Sequence, residues 1–382
     1  MFSFDIVIIG GGASGLMCAN NLKHSFSVAI VDSNPLGKKL LATGNGRCNF
    51  TNEHLSAQMY NKAKAEKYLQ AFDNNAVVKF FEKIGIPSFA DEEGRVYPLS
   101  ESAKDVQSAL TRNINAKVIT QSAAKISKKE KFEIELSDGS SIFADKVVIA
   151  CGNKSLGGLL ADFNLPLQKQ EQVLCGFKVK DFDKSLFGLR ENAVAKVREL
   201  GFEERGQVQF RKDGISGIVI FNLSAKVAQA DCPFEIELEL LPEISEQKFA
   251  SMMKSRQKDC KNLYIKDCLL GILKLELARY VLKISGITGT DRRLSELSDE
   301  EISRIIKNIK HLKFICKEKY DDGQVLAGGM KLEDLRDLES SVKGLFFCGE
   351  AAGVYGTSGG YNLQWAWSSG YFIADKLNKD KR

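Results

Sequence analysis

A glycine-rich turn near the N-terminus has the spacing that suits a dinucleotide. The apolar run at 4–9 leads into a G-x-G-x-x-G pattern at 10–15, and a helix is predicted over 13–22. In such a turn the glycines permit a tight bend, admit a pyrophosphate and let the helix pack closely on the strand. The N-terminal N–H groups of the helix would face the phosphates. The residues of this turn that we expect to contact the dinucleotide are Gly10, Gly12, Ala13, Ser14 and Gly15.

An acidic residue closes the next apolar run. Asp32 follows the run at 28–31, near the spacing at which a dinucleotide-binding fold places its acceptor for a ribose hydroxyl. A glycine pattern alone is weak evidence. The full order of strand, glycine turn, helix, strand and acid is more specific, and it predicts a Rossmann-type nucleotide site.

A second signature near the C-terminus indicates which dinucleotide binds. A predicted strand at 344–350 ends in Gly349-Glu350, and a glycine-rich segment at 353–362 then opens a helix. The acid can accept hydrogen bonds from ribityl hydroxyls, while the helix start faces negative charge. An enzyme that binds only NAD does not need this second anchoring point, whereas the longer FAD does. The sequence therefore predicts FAD.

The composition suits two or three domains with large cores. The 382 residues are 44% hydrophobic and 27% charged, with a net charge of +5. The charges are interspersed, so they neither demand nor exclude nucleic acid. Nine cysteines without a Cys-x-x-Cys pair and three isolated histidines argue against a dithiol redox motif and against a metal site. With neither a signal peptide nor a membrane span in the sequence, we expect a cytoplasmic protein with no membrane partner.

The middle of the chain differs in character from both ends. Residues 168–240 contain strand-like runs, the last of which alternates strictly between apolar and charged positions. Residues 245–312 show helical periodicity, with a capping box formed by Ser298 and Glu301. A strand-like run returns at 313–318. The C-terminal stretch then shows a strand followed by a glycine-rich helix start, as the N-terminal stretch does. This order indicates an insertion into a nucleotide-binding domain.

The segment Gly37-Lys-Lys-Leu-Leu-Ala-Thr-Gly-Asn-Gly-Arg-Cys-Asn-Phe-Thr-Asn52 resembles a block of the YhiN/BaiN-like flavoproteins, also called the aminoacetone-oxidase family. The segments 324–329 and 359–370 are similar to two further blocks of that family, so the likeness spans the chain. It implies an α/β fold, in which a Rossmann-type FAD-binding domain carries an inserted β-barrel-like domain and a helical domain. The expected boundaries are 1–167 plus 339–382 for the FAD-binding domain, 168–242 plus 313–338 for the β-domain, and 243–312 for the helical domain.

The resemblance also implies a set of site residues. Beyond the first turn, the expected cofactor-binding residues are Asp32, Lys39, Gly44, Asn45, Gly46, Arg47, Asn49, Ala124, Ala150, Cys151, Gly152, Gly328, Gly349, Glu350, Gly359, Gly360, Tyr361 and Asn362. Three segments depart from the family pattern. Asn45 replaces a glycine, Cys151-Gly152-Asn153 replaces Ala-Thr-Gly-Gly, and residues 351–356 lack the common acidic version. Substrate choice could therefore differ from that of relatives.

Two residues are candidates for proton transfer near the flavin. Cys48 is either an acid whose pKa is lowered by Arg47, or a small buried thiol. Tyr361 is either a proton donor or an aromatic ring that packs on the cofactor or core. Arg47 itself contacts phosphate or substrate, unless it forms only a surface ion pair. The tryptophans at 365 and 367 are expected to pack.

These observations predict an FAD-dependent oxidoreductase. We expect hydride transfer to an electron-poor C=C bond of a small molecule, with NAD(P)H as a transient donor because no second dinucleotide fingerprint follows. One alternative is a flavin-dependent dihydrouridine synthase that acts on ribosomal RNA, an activity also attached to this family. Another is an amine or alcohol oxidase that uses O₂. No metal is expected to take part.

Overall fold

The computed structural model describes residues 2–112, 114–228 and 232–381. Its strands are β1 (Phe2–Ile9), β2 (Val28–Val31), β3 (Thr51–Asn52), β4 (Ser88–Ala90), β5 (Arg95–Pro98), β6 (Lys117–Ile119), β7 (Ala123–Lys128), β8 (Phe132–Leu136), β9 (Ser141–Ile149), β10 (Leu167–Val173), β11 (Phe177–Val179), β12 (Arg190–Val197), β13 (Phe202–Phe210), β14 (Gly214–Ser216), β15 (Phe234–Leu240), β16 (Leu312–Lys319), β17 (Val325–Met330) and β18 (Leu345–Phe347). Its α-helices are α1 (Ala13–Asn21), α2 (Glu66–Ala71), α3 (Asn74–Lys83), α4 (Ala103–Arg112), α5 (Leu156–Leu159), α6 (Ile218–Lys226), α7 (Glu246–Asp259), α8 (Leu275–Ile284), α9 (Asp299–Lys310) and α10 (Tyr361–Asp380). Contacts between residues divide the chain into two units, one formed by the described residues up to Glu171 and from Val325 onward, the other by Gln172–Gln324.

The first unit is built on a mixed sheet with the strand order β6-β2-β1-β9-β8-β7, and β18 also joins β9. The strands β6, β2, β1, β9 and β18 run parallel to their neighbours, whereas β8 and β7 form an antiparallel extension. The last four residues of β1 and all of β2 are buried, as expected for parallel strands that are covered on both faces. The carboxyl ends of the parallel strands therefore meet at one edge.

The two helices α1 and α10 lie against each other in the first unit. Gly370 permits this close approach, because a Cβ at that position would lie 2.3 Å from the backbone oxygen of Ser14. Buried residues of β1, β9, β18 and α10 form one hydrophobic cluster. The C-terminal helix thus completes a layer that begins with the N-terminal strand, although about 350 residues of chain separate them.

The second unit contains a closed barrel with the strand order β11-β14-β13-β12-β15-β16. The apolar residues of β15 and β16 that face the inside share one hydrophobic cluster with α6, α7, α8 and α9. The predicted capping box starts α9: Ser298 accepts a hydrogen bond from the N–H of Glu301, and the Glu301 side chain accepts one from the N–H of Ser298. The predicted fold class, a Rossmann-type α/β core with a barrel and helices inserted, is confirmed.

Two local features differ from the sequence-based expectation. Strand β17, expected in the inserted β-domain, lies with the first unit, where it pairs with β10 and packs through Gly329. A Cβ on Gly329 would lie 2.5 Å from the backbone oxygen of Ala351, so the glycine is required for this contact.

Helix α6 lies in a stretch that reads as strand-like. A short, continuously apolar run of this kind cannot be assigned to helix or strand by periodicity alone.

Candidate flavin site

Three of the expected site segments begin at the same edge of the sheet. Backbone hydrogen bonds continue the parallel ladder up to that edge, from Gly10 N–H to Val31 (2.9 Å), from Ala150 N–H to Ile9 (2.8 Å) and from Cys348 N–H to Ile149 (3.0 Å). Ligands of open α/β sheets bind outside the carboxyl ends of the strands. The predicted turn, the segment after β9 and the segment after β18 are therefore placed where a cofactor would bind.

The glycines of the first turn fulfil separate steric requirements. Gly10 has φ +107°, and a Cβ on Gly15 would lie 2.1 Å from the oxygen of Gly10, so both positions need glycine for the fold itself. A Cβ on Gly12, by contrast, would meet nothing within 4 Å. Gly12 also begins α1 without a side-chain cap. The chain thus leaves space and uncapped N–H groups at this one position, as a pyrophosphate requires.

The Asp32 carboxylate lies beside this turn. Its Oδ2 accepts a hydrogen bond from the N–H of Gly11 at 2.8 Å, and its Oδ1 accepts one from the N–H of Asn34 at 2.8 Å. The acid is thereby fixed at the end of β2 with lone pairs to spare, because a carboxylate can accept about four hydrogen bonds. This geometry suits the expected contact to a ribose hydroxyl.

Two predicted residues from distant segments, Lys39 and Glu350, lie beside a third, Gly152. A Cβ on Gly152 would lie 3.3 Å from Oε2 of Glu350 and 3.5 Å from Nζ of Lys39. Burial raises the pKa of Glu350, and the Lys39 ammonium partly opposes this increase. Burial also raises the pKa of the neighbouring Cys151 thiol to about 11. An acid, a cation and a glycine in this arrangement fit the polar ribityl and phosphate portion of FAD.

The loop before Arg47 has an unusual backbone. Gly44, Asn45 and Gly46 follow one another in the left-handed region, with φ values of 56°, 59° and 87°. Asparagine is among the few residues other than glycine that tolerate this region. The replacement of the family's glycine by Asn45 therefore preserves the backbone conformation of the loop.

Strand β3, which follows this loop, is joined to the start of α10. The segments 37–52 and 359–370 therefore lie together. Thr51 Oγ1 donates to Oε1 of Gln364 at 2.5 Å, and Asn52 Nδ2 donates to the oxygen of Gly359 at 3.0 Å. A Cβ on Gly360 would lie 2.5 Å from the oxygen of Thr51. The glycines that open α10 thus let two segments more than 300 residues apart approach within hydrogen-bond distance.

Two of the three expected asparagines, Asn49 and Asn362, hold the loops through their side chains. In the amide orientation that satisfies both ends, Asn49 accepts from the N–H of Gly360 and donates to the oxygens of Thr51 and Val96. Asn362 accepts from the N–H of Gly356 at 2.9 Å and donates to its oxygen at 2.9 Å. Both amides therefore shape the site.

Of the two alternatives for Cys48, the structure agrees with the small buried thiol and not with an acid of lowered pKa. Cys48 is fully buried in a hydrophobic cluster with Phe50 and Val96, and burial raises its pKa to about 11. Tyr361 is also buried, and its hydroxyl lies 3.5 Å from the oxygen of His54. Burial raises the pKa of Tyr361, so both groups stay protonated near neutral pH.

The tryptophans of the C-terminal signature pack, as expected, and they also donate hydrogen bonds. Trp365 Nε1 donates to the oxygen of Gly349 at 2.8 Å, and Trp367 Nε1 donates to the oxygen of Phe50 at 2.9 Å. Both rings are buried. Each indole therefore anchors one segment of the expected site to α10.

Two further expected residues lie apart from this group. Gly328 lies in β17 with φ +129°, where a Cβ would come within 3.3 Å of the backbone of Gln170, so it serves the β10–β17 contact. Ala124 is exposed at the start of β7, three strands from β1, beside a shift in register. Within the described residues, no hydrogen bond joins Ala124 to the glycine turn.

Sequence reasoning missed the partners of Arg47. Its guanidinium lies over the ring of Tyr97, 4.5 Å from the centroid, and its Nη1 is 3.2 Å from Oε1 of Glu101. Tyr97 belongs to β5, which pairs with β3 and β4. The short segment at 94–99, which contains Gly94 and Pro98, reads as a loop in the sequence, so its pattern does not reveal this strand.

Two features are absent from the described ranges 2–112, 114–228 and 232–381. No group of three or more His, Cys, Asp and Glu residues there is arranged to hold a metal ion. No helix in those ranges is both long enough and apolar enough to cross a membrane.

Comparison with known proteins gives relatives over nearly the whole chain. A protein of Clostridium scindens named 3-dehydro-bile acid delta(4,6)-reductase is 33% identical, with 96% of this chain and 97% of the relative aligned. Two proteins named ribosomal RNA dihydrouridine synthase are 28% identical in Haemophilus influenzae and 26% identical in Escherichia coli. The alignments cover 98% of this chain and 98% of the first of these, and 99% and 98% for the second. Residues 4–376 match the family described as HI0933-like protein Rossmann domain, and the chain therefore belongs to the HI0933-like family.

Proposed function

We propose that this FAD-dependent oxidoreductase transfers a hydride to an electron-poor C=C bond of a small molecule, with NAD(P)H as a transient donor. The observation that carries the proposal is the convergence at the sheet edge. There, the open position at Gly12 lies on the same edge as the acids Asp32 and Glu350 and as Lys39. Bound FAD supplies the redox chemistry, and the chain supplies orientation and electrostatics.

We assign roles to the chain's own residues in this reaction. The N–H groups that begin α1 bind the pyrophosphate, Asp32 accepts from a ribose hydroxyl, and Glu350 accepts from the ribityl chain. The N–H groups that begin α10 face the developing negative charge of the reduced cofactor. Tyr361, which stays protonated, is the candidate proton donor.

The names of the relatives support the reaction class. A delta(4,6)-reductase and a dihydrouridine synthase both act on carbon–carbon double bonds near a carbonyl group. The identity to the bile acid reductase, 33%, is the higher of the two. We therefore place a conjugated small molecule first. We also propose a cytoplasmic location, where the scattered cysteines stay reduced.

Stopped-flow spectroscopy tests the proposal. The bound flavin of the purified holoprotein is reduced anaerobically with NADH or NADPH and then mixed with 2-cyclohexenone, a planar steroid enone or O₂. We expect rapid reoxidation by an enone and slow reoxidation by O₂. If an amine or alcohol reduces the flavin and only O₂ reoxidises it productively, the protein is an oxidase and the proposal is wrong.

A second candidate is reduction of uracil in ribosomal RNA, favoured by the two relatives that carry this name. Its test is a dihydrouridine profile of ribosomal RNA from a strain that lacks the gene. Loss of a dihydrouridine that returns on complementation, together with no enone turnover in vitro, would move this candidate to first place.

A further inference from the structure

Arg47 projects from a segment of backbone that is held on both sides. The left-handed run Gly44–Gly46 precedes it, and its own N–H donates to the oxygen of Gly44 at 3.2 Å. The next side chains, Cys48 and Asn49, are buried. Arg47 is turned outward, with 44% of its side chain exposed. The base of this arginine is therefore fixed while its head is accessible.

The guanidinium is positioned by three groups that do not use all of its donors. Its Nη2 lies 3.4 Å from the hydroxyl of Tyr97, its Nη1 lies 3.2 Å from Glu101, and its Nε lies 3.4 Å from the oxygen of Gly44. A guanidinium carries about five N–H donors. Part of its hydrogen-bonding capacity therefore faces outward and is available to a ligand.

The partners of Arg47 are themselves held in place. Glu101 has φ +48°, a left-handed conformation that costs a residue other than glycine about 1 kcal/mol and persists where the surroundings enforce it. Its N–H donates to the oxygen of Pro98 at 2.8 Å. Tyr97 stacks on Phe89, and its ring would lie 3.4 Å from a Cβ on Gly44. The Arg47 head thus lies directly beside the glycine loop expected to meet the flavin.

From this geometry we infer that Arg47 binds the carbonyl oxygen of an α,β-unsaturated substrate and stabilises the negative charge that this oxygen acquires. The inference rests on the proposed function and names the substrate class more narrowly. The β-carbon of the substrate receives a hydride from the reduced flavin, and the C=C electron pair moves to form the enolate. The enolate oxygen faces Arg47, and a proton added at the α-carbon completes the reduction. A nicotinamide donor would supply the hydride that each turnover consumes, and Tyr361 is the candidate source of the proton.

Electrostatic stabilisation of this kind is strongest when the donor is already in position before charge develops. Tyr97 and Glu101 supply that positioning. Because Glu101 also competes with the ligand oxygen for the same guanidinium, it tempers the affinity of the site for anions. Glu101 and Tyr97 are positioning residues, whereas Arg47 touches the substrate.

The test uses 4-chlorophenol, the phenolate oxygen of which mimics the enolate, titrated into oxidised holoprotein while the flavin absorbance is recorded. We expect Arg47→Met to keep its flavin and to bind the probe roughly ten- to a hundredfold more weakly, the range of a charge-assisted hydrogen bond. The affinity of Arg47→Lys for the probe should lie between those of wild type and Arg47→Met. Glu101→Gln should bind the probe at least as tightly as wild type. Arg95→Met, a nearby arginine that pairs with Asp91, is the matched control and should bind normally.

The alternative outcomes separate the inference from the proposed function. If Arg47→Met loses its flavin, Arg47 holds the cofactor and the inference is wrong. It is equally wrong if the variant binds the probe as wild type does, or if the wild-type spectrum does not respond. If probe binding depends on Arg47 but wild-type protein reduces no enone, the oxyanion site stands and the proposed reaction fails. If Arg47→Met reduces 2-cyclohexenone with unchanged kcat/KM, the reaction stands and the inference fails.

Discussion

Two helices of the first unit and two helices of the second begin in contrasting ways. In the second unit, α7 and α9 begin at Ser245 and Ser298, the side chains of which accept hydrogen bonds from backbone N–H groups. In the first unit, α1 and α10 begin at Gly12 and Gly360, neither of which provides a side-chain cap. A capped helix start contributes about 1 kcal/mol of stability, which these two helices forgo. The contrast is not general, because Asp73 caps α3 in the first unit and neither α6 nor α8 of the second unit has a side-chain cap. What sets α1 apart is the open space beside Gly12, where a Cβ would meet nothing within 4 Å.

Charged side chains in the two units also differ in how they are paired. In the second unit, Glu239 lies 3.0 Å from Lys196 and 3.3 Å from the buried Lys310, so the charges satisfy one another. In the first unit, Glu350 and Lys39 both lie beside Gly152, and Glu350 is influenced by the Lys39 ammonium and by a hydrogen bond with the backbone of Leu326. The charges around Glu239 are satisfied by one another, whereas we expect a bound cofactor to supply further partners for Glu350 and Lys39.

Placing a carboxylate at Gly12 should have the largest effect. Gly12→Glu puts bulk and negative charge where the pyrophosphate binds, so we expect folded protein without flavin. Gly12→Ala should fold normally, because the position is extended and a Cβ meets nothing within 4 Å of the chain, and should bind flavin more weakly than wild type but better than Gly12→Glu, because its methyl group adds bulk without charge. For both variants, absorbance measures the flavin content and circular dichroism measures folding. Retention of flavin by Gly12→Glu would remove the contrast between the units.

In the second unit, removing a buried cation should lower stability without affecting flavin. Lys310 is 4% exposed and donates to Leu241 at 2.8 Å and to Glu239. Lys310→Met should lower the free energy of unfolding by about 3 kcal/mol, because it leaves buried partners unsatisfied. Lys313→Met is the matched control, since its pair with Glu235 is exposed and should contribute less than about 1 kcal/mol. Equal losses in urea unfolding would contradict this prediction.

The Asp183 carboxylate should make the stability of the second unit sensitive to acid. Hydrogen bonds from Lys283 and Ser185 lower its pKa to about 2. A lowered pKa means that the stabilisation is present above the pKa of the unfolded chain and is lost as pH falls through the folded value. Because Lys283 is largely exposed, Asp183→Asn should cost about 1–2 kcal/mol at pH 7.

The difference between Asp183→Asn and wild type should vanish between about pH 4 and pH 2, as the carboxylate takes up its proton. Thermal unfolding across that range measures it, with Asp181→Asn on the same turn as control. A difference that persists unchanged at pH 2 would show that Asp183 acts through geometry and not through its charge.

The smallest effect is expected at a helix cap. Ser298→Ala removes the side chain that accepts from the N–H of Glu301 at 3.2 Å, and should lower stability by about 0.5–1 kcal/mol. Flavin content should not change. If this substitution instead reduced flavin binding, the helix starts of the second unit would not be purely structural, and the comparison between the units would need revision.

The sequence by itself determined the features that depend on neighbours along the chain. The turn at Gly10–Gly15, the acid at Asp32, the capping box of α9 and the Gly349-Glu350 strand end all follow from local spacing. Glycine spacing fixes which backbone conformations are accessible, and that is a local property. Family resemblance added the loop at 37–52 and, with it, the expectation of inserted domains.

Tertiary structure decided what the individual side chains do. Cys48 is adjacent in sequence to Arg47, yet it is buried and its pKa rises, because Phe50 and Val96 enclose it. Arg47 meets Tyr97 and Glu101, about 50 residues away, through a strand that the sequence pattern did not reveal. Desolvation and ion pairing depend on everything that surrounds a group in space, and that surrounding is assembled from distant segments.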